Sequence, residues 1–177
     1  MDFFNTTSAR HSVRSYSDKP VEPEKINRIL ECVGSAPSAG NLQAYKIFVL
    51  TEKGTKDQII ECAFGQDFLK NAPYLLIFCA DAARSGKKYA QRGEELYCLQ
   101  DATIACTYAM LSATSLGLSS VWVGAFDEKS VAAIMDIPAN SRPIILLPIG
   151  YAARPPRITS RRPINEIVKY MSRELDK

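Results

Sequence analysis

The chain has 177 residues, 46% hydrophobic and 23% charged, and its 22 Lys plus Arg against 19 Asp plus Glu leave a formal charge of +3. A chain of this length can bury a core as one domain without disulfides or structural metals. A single histidine, His11, excludes a His-rich zinc site, five cysteines without a C-x-x-C pair read as reduced thiols in a cytoplasmic protein, and no glycine-rich loop of Rossmann or P-loop type occurs.

The N-terminus shows no secretory signal and begins a short helix. Ile26, Ile29, Leu30 and Val33 form a helical stripe that predicts a helix from Pro23, stopped by Gly34. Lys46 to Leu50 predicts a strand, and Lys56 to Phe64 a helix. Tyr74 to Ala80, entered through Pro73, is a continuous apolar run, as expected of a strand buried on both faces. The longest helix is expected from Glu94 to Leu116 with Gly117 as its C′ residue. The uncharged run from Ala102 to Phe126 could cross a bilayer on length alone. Its seven Ser and Thr, and the break at Gly117, make it a core helix followed by a strand, so no membrane association is expected. Ser120 to Val123 predicts a short strand, Asp127 caps a helix through Met135, and Pro143 to Tyr151 is a further strand. Pro148 within it has no N–H and predicts an edge position, a bulge or an irregular strand end. Pro163 opens a last helix with Ile164, Ile167, Val168 and Met171 on one stripe. No low-complexity linker interrupts this alternation, so residues 1–177 read as one mixed α/β domain of the α+β class.

Four segments can carry chemistry. In extended backbone Arg10, Ser12 and Arg14 of the Arg10-His11-Ser12-Val13-Arg14 stretch project to one side, and two guanidinium forks with a hydroxyl suit an anion such as phosphate. Taken alone, the same stretch reads more readily as a solvated basic turn. The 35–43 segment, containing Pro37, Ser38, Ala39, Gly40, Asn41 and Gln43, is a turn-rich loop whose amides and hydroxyls can read the edge of a planar heterocycle or simply join helix to strand. Val123, Gly124 and Ala125 end a strand where a ligand can approach the backbone closely, while Trp122 is expected to be a core anchor. Arg154, Arg157, Arg161 and Arg162 are by themselves as good a nucleic-acid patch as a ligand site. A charge of +3 is small for nucleic acid, however, and no helix-turn-helix or RNA-binding signature accompanies it.

In order along the chain, Arg10-His-Ser-Val-Arg14, Ala36-Pro-Ser-Ala-Gly-Asn-Leu-Gln43, Asn71-Ala-Pro73, Gln100-Asp101-Ala102, Val121-Trp-Val-Gly-Ala-Phe126, Gly150-Tyr151 and Ser160-Arg-Arg-Pro163 resemble the nitroreductase family of FMN-dependent oxidoreductases. The resemblance implies a three-layer sandwich in which helices flank a central mixed, largely antiparallel sheet. It implies FMN as cofactor and NADH or NADPH as electron donor. Hydride would pass through flavin N5 to a small electron-poor acceptor, a nitroaromatic or quinone, by a ping-pong mechanism with no catalytic side chain and no metal. Relatives that dehalogenate or fragment flavin leave those chemistries as alternatives. Carried over by residue, Arg10, Ser12 and Arg161 would hold the FMN phosphate and ribityl chain, with His11 and Arg162 beside them, and Arg14 would lie at the pyrimidine edge. Val123, Gly124 and Ala125 would face N5. Pro37, Ser38, Ala39, Asn41 and Gln43 would reach the site from the partner chain, so a homodimer with shared flavin sites is expected. The 152–177 segment would pack on that partner, and the basic 82–94 segment is the candidate wall or lid.

Overall fold

The computed structural model describes residues 1–171. Helix α1 (Phe3–Ala9) starts at Asp2, whose carboxylate accepts from the Asn5 N–H at 2.8 Å, and α2 (Pro23–Gly34) follows. Strand β1 (Tyr45–Leu50), helix α3 (Lys53–Cys62) and strand β2 (Tyr74–Asp81) come next. Then α4 (Ala82–Arg92) folds back through a five-residue π turn, Gly93–Tyr97, into the long helix α5 (Cys98–Ser115). Strand β3 (Ser119–Ser120), helix α6 (Glu128–Ile134), strand β4 (Ser141–Gly150) and the single turn α7 (Ile164–Ile167) complete the order.

The four strands lie in the order β1-β2-β4-β3, and each neighbouring pair is antiparallel. The parallel component of the expected mixed sheet is one bridge, from Ser12, which lies outside the named strands, to Ser120 of β3. Strand β2 alternates its side chains between two cores. Leu76 and Phe78 pack with Ile29 and Val33 of α2 and Ala105 and Ala109 of α5. Leu75, Ile77 and Cys79 pack on the other face with Ile59 and Ile60 of α3 and Val131 of α6. A strand covered on both faces has no solvated side, and each large side chain so buried is worth about 1.5–3 kcal/mol of transfer free energy. Helix α5 ends as its sequence predicts: Gly117 takes φ +75°, Leu118 N–H donates to Ala113 (2.8 Å) and Gly117 N–H to Thr114 (3.0 Å), a Schellman closure. No helix among the described residues is long and apolar enough to cross a membrane. All five cysteines are free thiols, and burial pushes that of Cys79 up to about 12.

Four expectations need correction. Strand β4 is interior, so Pro148 is not at an edge. Leu146 exchanges hydrogen bonds with Val123, which directs the backbone of Pro148, two residues on, to the same side, into the break between Ser120 and Val123 where no partner N–H bond is needed. The predicted strand at 120–123 is for the same reason only Ser119–Ser120 plus the Val123 bridge. Trp122 is 37% exposed rather than a core anchor, with its indole against Gly124. The C-terminal helix is one turn, Val168 is already extended, and Ile164 and Met171 are 71% and 97% exposed. Residues 172–177 of the expected partner-packing segment lie outside the described residues.

Candidate functional site

The Arg10 to Arg14 segment leaves α1 in extended backbone, with Arg10 at φ −69°, ψ 111°. Val13 N–H then donates to the Ser120 carbonyl (3.1 Å), tying the segment to the β3 edge. Val13 is buried while Ser12 and Arg14 are exposed, the two-residue alternation expected of a half-buried strand. The segment is held from below by Tyr16, whose hydroxyl donates to Val13 O at 2.9 Å. Burial pushes that hydroxyl far above its ordinary range, against the opposing charge of Arg14. The 152–161 stretch returns antiparallel beside it, through the Tyr16–Ala152 bridge and the bond from Ala153 N–H to Ser15 O (2.9 Å). Between the two stretches lies a recess of about 330 Å³ lined by Arg10, His11, Ser12 and Arg14 from one and Arg157, Thr159 and Arg161 from the other. Four guanidinium groups, two hydroxyls and no carboxylate make a site for a dianion. Arg162 is not among the residues that line this recess.

The 37–43 loop is built at the other corner of the sheet, where β1 begins. Its anchor is Asp101, 1% exposed in the first turn of α5, which accepts from the N–H groups of Ala39 (2.8 Å) and Ala44 (3.3 Å). Ser38 Oγ accepts from Gln43 N–H at 2.9 Å, and Gln43 Nε2 donates to Asn41 Oδ1 at 2.6 Å. Gly40, Asn41 and Gln43 all have positive φ, +56°, +57° and +45°. That conformation is natural for glycine and tolerated by asparagine, but it strains glutamine and persists only where the surroundings over-determine it. Helix α4 lies over this loop: Arg84 Nε donates to Leu42 O, and Lys88 and Tyr89 crowd Gly40. The expected wall segment is therefore an ordered helix seated on the loop. Pro37, Ser38 and Ala39 also line an open cleft with Tyr97, Gln100 and Thr103.

Val123 is buried by its bridge to Leu146, but Gly124 and Ala125 are exposed. Their N–H groups donate to no acceptor among the described residues, while Ala125 O accepts from Gln66 Nε2 at 2.9 Å. The strand end is thus fixed with its donors free for a ligand.

The structure brings Arg10, His11, Ser12, Arg14 and Arg161 to one recess, and separately groups Pro37, Ser38, Ala39, Asn41 and Gln43 in one loop. The two groups sit at diagonal corners of the sheet. Three strand spacings and the six-residue offset along β2 between Ala80, paired with Tyr45 at the start of β1, and Tyr74, paired with Ile149 at the level of Ser120, put the strand ends that carry them about 25 Å apart within one chain. Two site features, Thr159 and the anchoring role of Asp101, were missed from sequence, and Arg157 was grouped only with the C-terminal arginine patch. Arg157 and Thr159 join Arg161 by the same two-residue alternation that groups 10, 12 and 14, and Asp101 is the lone carboxylate at the head of an otherwise uncharged helix.

The family model described as Nitroreductase family matches residues 7–66 and 55–151. The chain is 33% identical over 180 residues to an FMN reductase (NAD(P)H) of Bacillus subtilis, an alignment covering 92% of this chain and 72% of the relative. It is 27% identical to the oxygen-insensitive NADPH nitroreductase of Salmonella typhimurium, over 89% of this chain and 68% of that protein. A solved structure of a nitroreductase family protein from Clostridium difficile superposes with a TM-score of 0.86 at 31% identity, covering 97% of this chain and 99% of that one.

Proposed function

The chain belongs to the nitroreductase family, and on that premise we propose that it works as a homodimeric, FMN-dependent oxidoreductase that takes electrons from NAD(P)H and passes them to a small electron-poor acceptor such as a quinone or nitroaromatic. The observation that carries the reading is a carboxylate-free arginine recess on the same sheet edge as a strand end with free N–H donors. That donor set fits a mononucleotide with a phosphate at one end and a heterocycle edge at the other. When bound, FMN supplies the hydride chemistry itself, so no side-chain acid or base is required. Arg10 and Arg161, with the hydroxyls of Ser12 and Thr159, hold the phosphate. Arg14 sets a cation at the ring edge, where it lowers the energy of negative charge that builds on reduction. The N–H groups of Gly124 and Ala125 orient the ring.

The remaining contacts come from the partner's 37–43 loop, with Asn41 and Gln43 as its polar tip. Three features support that sharing. The strand ends that carry the loop and the recess are about 25 Å apart in one chain, too far for one mononucleotide to bridge. The outer face of α5, uncharged beyond Asp101, leaves Tyr108 exposed beside Phe3 and Phe4 of α1, an apolar patch that a second copy would cover symmetrically. Ile158, Ile164, Ile167 and Tyr170 are exposed on the C-terminal stretch, which suits a strap across the partner. Five free cysteines suit a reducing, cytoplasmic setting. The experiment is direct: purified protein should be yellow, release FMN on heating, and oxidise NADH or NADPH with a quinone or nitroaromatic acceptor. Colourless protein that fails to quench added FMN fluorescence would overturn the reading.

A further inference from the structure

The arginine recess has a neighbour that the flavin phosphate does not need. A second cavity, about 250 Å³, adjoins it and shares Ser12, Arg14 and Arg157, then adds Arg154 and the Pro155-Pro156 pair. The prolines fix two backbone φ angles and stiffen the wall, and the bond from Ala153 N–H to Ser15 O (2.9 Å) pins the residue before Arg154. No carboxylate lines either cavity. Among the described residues, none of Arg10, Arg14, Arg154, Arg157 and Arg161 is in an ion pair. An exposed arginine alone is ordinary, but five around one pair of recesses with no counter-charge is a demand for anions. A phosphate monoester brings about two negative charges. Arg10 and Arg161 match these, and Arg14 serves the ring edge. Arg154 and Arg157 remain: Arg157 lines both recesses, and Arg154 lines only the second.

We propose that this second cavity binds a phosphate group of the nicotinamide dinucleotide, with Arg154 as a specificity-determining residue and Arg157 as the wall between the two anion sites. The proposal rests on the flavin reading above. Arg154 lines only the second cavity, so Arg154→Gln separates the two.

The test measures three quantities on wild type and Arg154→Gln: FMN affinity by fluorescence quenching, calorimetric binding of 2′,5′-ADP and of 5′-ADP to the FMN-loaded protein, and KM and kcat for NADPH and NADH. The expected result is unchanged FMN affinity, roughly tenfold or greater weakening of one or both nucleotides, and a matching rise in KM with kcat held. Loss confined to 2′,5′-ADP and NADPH identifies the 2′-phosphate as the occupant, and equal loss for both donors identifies the pyrophosphate. Unchanged nucleotide binding and KM would overturn the proposal while leaving the flavin reading intact. Loss of FMN in Arg154→Gln would also overturn it, by making the second cavity part of the flavin phosphate site. A wild-type protein that binds no FMN removes the underlying reading and the proposal with it.

Discussion

Replacing Asp101 with alanine should unseat a loop whose own polar tip is left chemically intact. The carboxylate is 1% exposed and accepts from Ala39 N–H at 2.8 Å and Ala44 N–H at 3.3 Å. A hydrogen bond to a charged group is worth about 1.5–3 kcal/mol, and the longer contact belongs at or below the low end, so the loss is about 3 kcal/mol. For a domain of this size that is about 6–12 °C in melting temperature. The anchor also holds Gln43 at positive φ, a conformation costing about 1–3 kcal/mol, so its removal lets the loop relax. FMN affinity should then fall at least about tenfold, the equivalent of one lost contact, although every arginine of the recess is untouched. Asp101→Asn keeps one acceptor but turns a donor toward an N–H, and should fall between wild type and alanine. Thermal unfolding of the flavin-free protein and a fluorescence titration with FMN check both effects. An Asp101→Ala protein with wild-type melting and FMN affinity would show that the carboxylate does not anchor the loop.

Arg10→Ala and Arg161→Ala should each weaken FMN binding by about 1.5–3 kcal/mol, Arg162→Ala should leave it unchanged, and Arg14→Ala should make the flavin harder to reduce with a smaller change in affinity; fluorescence titration and spectroelectrochemistry separate these outcomes. Gly93→Ala places a Cβ 2.5 Å from the backbone oxygen of Ser85, so α4 must shift off the π turn at a cost of about 1–3 kcal/mol, read as a lower melting temperature. Stability should fall in alkali, because burial holds the Cys79 thiol near 12 and raises that of Cys106 as well, while unfolded thiols ionise near 9.0. Above that pH the unfolded chain binds fewer protons than the native one, so each buried thiol removes about 1.4 kcal/mol per pH unit, and Cys106→Ala should reduce by about that amount the pH slope of the unfolding free energy measured in urea between pH 9 and 11.

The elements most legible in the sequence are those whose burial is extreme or whose ends carry a local signal. Strand β2 is apolar throughout because both faces are covered, and Gly117 ends α5 through its own backbone freedom. Elements decided by pairing were less legible. Nothing local in Val121 to Val123 shows that the ladder breaks beside Pro148, and the apolar stripe after Pro163 gives no sign that the described chain makes one turn and then extends. At the candidate site the alternation of 10, 12 and 14 was readable because one neighbour, Val13, is apolar and buried. The matching alternation of 157, 159 and 161 was obscured by prolines and by further arginines at 154 and 162. Asp101 acts through a contact 57 and 62 residues away, which no local pattern carries.

A flavin site built from two chains is directly measurable by subunit complementation. Arg10→Ala removes a recess arginine, and Asn41→Gly removes the polar tip of the loop while keeping a residue at ease with φ +57°. Each variant alone should bind FMN weakly at both of its sites. Unfolded and refolded together in equal amounts, they should form heterodimers in which one site carries both lesions and the other carries neither, so about a quarter of all sites regain wild-type FMN affinity. No recovery in a mixture shown by mass spectrometry to contain heterodimers, or a protein that sediments as a monomer, would contradict the shared site.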